Sequence, residues 1–240
     1  MPSRSVVPLE SDPSIFTNLA HSLGVSQHIE FTDIYSLTDP DLTSFIPRPI
    51  KAIVLLFPID DAFETLKKQE DSSRNAYEIP SNPQDEKIYW FPQRIKNACG
   101  LYALLHAVSN TATPGNGGLV PDSKLATLLG KLQSTRDFDS RTLLIGQLEG
   151  EYTEAAQDGQ TEAPQPDDEV GLHFISFVYN AKDNHLYELD GRRNGPIDLG
   201  ESGADGDLLE EASVVDKIQH YMEIANEQNQ LKFNLMGLIA

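Results

Sequence analysis

Residues 87–110 read KIYWFPQRIKNACGLYALLHAVSN and contain Cys99, the one cysteine of the 240-residue chain. The short apolar, aromatic run over 87–91 predicts a strand. Asn97 is then placed to cap a helix, and residues 98–108 are mostly apolar helix formers. Cys99 falls in the first helical turn, where unsatisfied backbone N–H groups and the positive end of the helix dipole favour a thiolate. A lone cysteine in an apolar helix is ordinarily a small core residue. Its place at a helix start makes it a candidate nucleophile, because a lowered thiol pKa is how cysteine nucleophiles are activated. Gly100 leaves room beside it for a substrate backbone. Leu105 stands where a phosphatase loop would carry arginine, and a structural zinc site would need more than one cysteine.

A cysteine nucleophile needs a base and a group that orients the base. His106 lies two turns along the same helix, about 10 Å from Cys99, which is too far for a hydrogen bond. Downstream, residues 172–179 and 185–190 predict two strands around a turn at 180–183. A turn centred on Ala181-Lys182 sets His173 directly opposite Asp190, with Cβ atoms about 4.5–5.5 Å apart. A carboxylate at that distance can hold an imidazole in one tautomer. The same pair reads equally as a cross-strand surface contact. A metal site built from His173, His185 and Asp190 is disfavoured, because His185 then pairs with Val178 outside the cluster. Gln93, six residues before Cys99, can offer its amide to an oxyanion together with the Cys99 backbone N–H; its plain alternative is a surface glutamine.

Outward from this stretch the chain reads as one α/β domain over residues 1–240. A helix is expected after Ser11 or Asp12, with Pro13 in its first turn and Gly24 at its end. IKAIVLLF over 50–57 reads as a buried strand. Further helices are expected over 60–68, 124–133, 140–149 and 207–226, and a strand over 231–240. Residues 67–85 read as a loop. Residues 151–171 are rich in Glu, Asp, Gln, Thr and Pro and read as a mobile surface loop.

Composition narrows the functional classes. The net charge of −19 repels nucleic acid and anionic membranes; it favours a basic partner or serves solubility alone. No apolar run approaches the ~20 residues of a membrane span, and the N-terminus lacks the apolar core of a secretory signal. With one cysteine no internal disulfide forms, so a reducing compartment is expected, cytoplasmic or nuclear.

The block WFPQRIKNACGLYALLHAV resembles the active-site block of the ubiquitin C-terminal hydrolases, with its Gln-x-x-x-Asn-Ala-Cys-Gly core. LHFISFVYNAKDNHLYELDGRRNGPIDLG is similar to the family's His and Asp block. PLESDPSIF, DIYSLTDPDL, FIPRPIKAIVLLFPI and LKFNLMGLIA also resemble family segments, so the likeness covers essentially the whole chain. It implies Cys99 as nucleophile, His173 as base, Asp190 as orienter and Gln93 as oxyanion donor, with no metal or organic cofactor. It implies a papain-like α/β fold, a central, mostly antiparallel sheet flanked by helices, and a knotted backbone, against the usual rule. It makes residues 147–171 a loop crossing over the active site. It implies ubiquitin as partner, or a related ubiquitin-like modifier, with Leu9, Glu10, Asp33 and Leu172 as contacts. A monomer is expected. Two departures stand out: Arg94 and Leu101 replace the family's common threonines, and the hairpin between His173 and Asp190 is about two residues longer than in close relatives. A non-catalytic ubiquitin-binding protein is the rival reading, which would predict a degraded active site.

Overall fold

The computed structural model describes residues 5–112, 115, 117–159 and 171–239. Eight α-helices surround one six-stranded sheet among these residues. The helices are α1 (Pro13–Leu23), α2 (Pro40–Thr43), α3 (Asp61–Ser72), α4 (Cys99–Thr111), α5 (Lys124–Leu132), α6 (Phe138–Ile145), α7 (Glu149–Gln157) and α8 (Ala212–Ile224). The strands are β1 (Glu30–Asp33), β2 (Ile50–Pro58), β3 (Leu172–Asn180), β4 (His185–Leu189), β5 (Ile197–Glu201) and β6 (Asn234–Ile239). Their order in the sheet is β1-β6-β2-β3-β4-β5, and every neighbouring pair is antiparallel. None of the described helices is long and apolar enough to cross a membrane.

The two faces of the sheet build two cores. In β2, Ala52 and Val54 join the layer of α1, α4, α5 and α7, while Ile53, Leu55 and Phe57 join that of α3 and α8. This alternation follows from the two-residue period of a strand buried on both sides. Helix α4 packs directly on the sheet and is buried nearly all round, from Cys99 to Ser109. Ser176 of β3 donates to the Ala103 carbonyl of α4 at 2.6 Å.

Four expectations need correction. Residues 87–91 form no strand. The Tyr89 backbone pairs with the Asn110 side chain, N–H to Oδ1 at 2.8 Å and Nδ2 to carbonyl at 2.9 Å. Phe91 N–H donates to His106 Nε2 at 3.0 Å. Side chains of α4 thus take the backbone groups that a neighbouring strand would have used. Second, α3 runs to Ser72, into a stretch read as loop. Third, the region read as a mobile loop from residue 151 begins as α7, because Tyr152, Ala155 and Ala156 recur at helical spacing and bury one face. Residues 160–170 of that region lie outside the described residues. Fourth, the β3–β4 register differs by two residues from a pairing of His173 with Asp190. Ser176 faces Leu189, and Asn180 faces His185. The loop holds four residues, 181–184. It closes on Asn180, whose carbonyl accepts from Asn184 N–H and whose Oδ1 accepts from Lys182 N–H. Asn184 takes a positive φ of 61° to complete it.

Candidate active site

The register change is even, so the facing of the side chains is kept. His173 and Asp190 become diagonal neighbours, and His173 Nε2 meets Asp190 Oδ1 at 2.7 Å. Asp190 sits just past the end of β4, in a turn held from several sides. Arg192 N–H donates to its Oδ1 at 2.8 Å, Arg193 N–H to its carbonyl at 3.1 Å, and Trp90 Nε1–H to the same carbonyl at 3.0 Å. The Arg193 guanidinium is buried and anchors the turn on α3, reaching Glu70 at 2.5 Å and Asp71 at 2.9 Å.

Cys99 is the first residue of α4, and its thiol is hydrogen-bonded to the His173 side chain. Since Nε2 is taken by Asp190, the thiol faces Nδ1. Burial pushes the Cys99 thiol up, but His173 and the backbone N–H groups of Phe174 and Gly100 outweigh it, and the net shift is downward. Burial likewise disfavours a charged His173. The Asp190 charge and hydrogen bond, joined by Cys99, win and raise the imidazole to about 9. Burial opposes the Asp190 charge too, and His173 with the Arg192 N–H holds that carboxyl down at about 2. All three directions favour a thiolate–imidazolium pair backed by an ionised carboxylate, the resting form of an activated cysteine.

The helix start supplies donors. The cap position of α4 is Ala98, not Asn97, and no side chain caps the helix. Asn97 instead turns the chain with φ 62°. Its side chain therefore leaves the first N–H groups of α4 for the thiol and for a developing oxyanion. Gln93 lies alongside. Its Nε2 donates to the Ile95 carbonyl at 3.1 Å, which anchors the amide and leaves its second N–H for an oxyanion. Gln93 N–H in turn donates to the Gly191 carbonyl at 2.7 Å. A Cβ on Gly191 would come within 2.9 Å of Gln93, so only glycine lets the Asp190 turn seat this residue. The sequence reading missed this tie between Gln93 and the Asp190 turn; the Gly191 that follows Asp190 is its one trace in the sequence.

A cleft of about 1030 Å³ opens over Cys99, His173 and Gln93. Leu9, Glu10 and Leu172 line it, whereas Asp33 stands on the edge strand β1, outside the cleft lining. Leu9 packs over Gly100, where an added Cβ would lie 3.1 Å from it. His106 is a neutral core residue; burial holds it down at about 4, and it stacks on Phe91. Arg94 reaches Asp139 of α6, and Leu101 is buried, so neither departure faces the reacting atoms. His185 pairs with Asp198 at 2.9 Å, away from His173. Among the described residues no group of three or more His, Cys, Asp or Glu side chains is placed to hold a metal.

The family model of ubiquitin carboxyl-terminal hydrolase, family 1, matches residues 6–223. The chain is 39% identical to ubiquitin carboxyl-terminal hydrolase YUH1 of Saccharomyces cerevisiae, covering 98% of this chain and 96% of that one. It is 31% identical to the human ubiquitin carboxyl-terminal hydrolase isozyme L1, covering 96% of each. The fold matches the crystal structure of Trichinella spiralis UCH37 bound to ubiquitin vinyl methyl ester. That match has a TM-score of 0.68 and 22% identity, and covers 97% of this chain and 81% of that one. With a cysteine, histidine and aspartate meeting at an uncapped helix start, and with the family model spanning nearly all of its length, the chain belongs to the ubiquitin carboxyl-terminal hydrolases of family 1 and is a cysteine-type hydrolase.

Proposed function

We propose that the chain hydrolyses bonds to the C-terminal glycine of ubiquitin through an acyl-enzyme on Cys99. The thiolate attacks the glycine carbonyl, and the Cys99 N–H and the Gln93 amide stabilise the oxyanion. The His173 imidazolium then gives its proton to the leaving group, and the neutral imidazole activates the water that releases ubiquitin. Asp190 keeps the ring in the tautomer and orientation both steps need. The observation that carries the reading is the thiol–imidazole–carboxylate chain inside a cleft walled by Leu9, Glu10 and Leu172. The acidic surface fits a basic substrate and should raise its rate of encounter.

The preferred leaving groups are small adducts and short peptide tails. On this reading the chain works as a single catalytic domain and a monomer in a reducing compartment. Ubiquitin carrying a fluorogenic C-terminal amide is the test, run beside a ubiquitin-like modifier carrying the same group. Turnover of ubiquitin with a much weaker rate on the modifier is expected. The reverse ranking would move the assignment to the modifier, and binding without turnover would make the chain a ubiquitin-binding protein.

A further inference from the structure

Tyr152 of α7 touches no reacting atom, yet its hydroxyl sits where three segments of the cleft converge. The ring is buried, at 1% exposure. The hydroxyl donates to the Asn97 carbonyl at 3.2 Å, and the Leu9 backbone N–H faces the phenol oxygen itself. Burial pushes the phenol far up, so it stays a protonated donor at every physiological pH. Asn97 holds a φ of 62°. Asparagine is among the few residues with a side chain that adopt this left-handed conformation readily, and the hydrogen bond to its carbonyl fixes the direction of the turn. This turn delivers Cys99 to the start of α4, a helix end that no side chain caps. Leu9 lines the cleft and packs on Gly100. Fifty-five residues along the chain from Asn97, one hydroxyl thus joins that turn and the Leu9 wall to α7. The Cys99 thiolate is near enough for its charge to act on the phenol.

We propose that Tyr152 is a positioning residue for Cys99: its hydroxyl fixes the Asn97 turn against the Leu9 wall and so keeps the thiol under the first N–H groups of α4. The inference rests on Cys99 being the nucleophile. Without the hydroxyl the turn relaxes, the thiol moves off its N–H donors, and its pKa rises. The ring itself only fills core space, and phenylalanine fills the same space.

Cys99 is the single thiol of the chain, so the pH profile of iodoacetamide alkylation reads it alone, with no ubiquitin present. In Tyr152→Phe the alkylation midpoint should rise by about 0.5–1 pH unit. Its kcat on the fluorogenic ubiquitin amide should fall about tenfold, with KM within about twofold. Ser176→Ala is the control, since it deletes another buried hydroxyl bond to α4. It should lose stability and leave both midpoint and kcat alone. Should Tyr152→Phe fold poorly, Tyr152→Met removes the same hydroxyl with an adaptable side chain. A wild-type midpoint and kcat in a folded Tyr152 variant overturns the proposal, as does an equal shift in Ser176→Ala. Unimpaired turnover in Cys99→Ala would instead remove the nucleophile itself, which separates the two failures.

Discussion

Helices α1 and α4 begin with the same physical deficit and meet it in opposite ways. At α1, Asp12 accepts from Ser14 N–H at 2.7 Å and Ile15 N–H at 3.2 Å, and Pro13 removes one further donor. At α4, the cap residue is alanine, no acidic residue stands in the first turn, and the N–H of Gly100 points at a thiol. The first arrangement lowers the free energy of the folded chain. The second leaves the donors for a charge that the chain itself creates and for one that a substrate develops. A helix start that declines an available cap is therefore a place to look for chemistry.

Breaking the α4 end should have the largest effect. Cys99→Ala should lose turnover by a factor on the order of 10⁶ while still binding ubiquitin, as the loss of a covalent nucleophile does. Calorimetric titration beside the kinetic assay checks both parts. Asp190→Asn comes next, with a fall in kcat of about 10²–10⁴-fold and little change in KM, because the imidazole loses its orienter.

The pH profile sharpens that result. The wild-type alkaline limb of kcat/KM should lie near the raised His173 value of about 9, where the imidazolium loses its proton. In Asp190→Asn the limb should move to lower pH, since the carboxylate that raises it is gone. Asp190 also links folding to pH. Its folded value of about 2 lies below the ordinary 3.8, so its stabilisation is present above that ordinary value and is lost as pH falls toward 2. Acid unfolding of the Asn variant should lack this component.

Smaller effects test the walls of the comparison. Gly100→Ala should crowd Leu9, since the new Cβ would lie 3.1 Å from it. Such overpacking costs about 1–3 kcal/mol, and we expect part of it as a loss of about fivefold in kcat/KM. Asp12→Ala should leave the kinetics unchanged and cost about 1 kcal/mol. That corresponds to roughly 2–4 °C in Tm for a chain of this size. A kinetic defect in Asp12→Ala would show that the two helix starts are not independent.

Much of this contrast is legible in the sequence. Asp12, Pro13 and Gly24 mark both ends of α1, because capping and left-handed turns demand particular residue types. The β-branched, apolar run of β2 is equally plain. Cys99, His173, Asp190 and Gln93 can be singled out by residue type and spacing, and the structure brings them together. The misses share a cause: long-range partners that no local pattern encodes. Residues 87–91 carry strand composition, but Asn110 and His106 take their hydrogen bonds from 15–21 positions away. The β3–β4 loop depends on the side chain of Asn180 bonding within the turn, which moves the register by two. Tyr152 stands in a polar stretch that hides the helical face it belongs to. The short edge strands β1 and β5 have too few buried residues to announce themselves.

The sheet order carries a consequence for how the protein is made. Strand β6 follows every other element along the chain, yet it lies inside the sheet between β1 and β2. Ser11 hydroxyl donates to Asn234 Oδ1 across 223 positions. During synthesis the ribosome releases β6 after the strands it separates, so β1 and β2 must wait with open edges. The cleft wall carried by residues 8–11 gains its Ser11–Asn234 tie only when that late strand slots in. Completion of the sheet is thus deferred until β6 has been made, and the exposed edges of β1 and β2 in the interval need shielding from other chains.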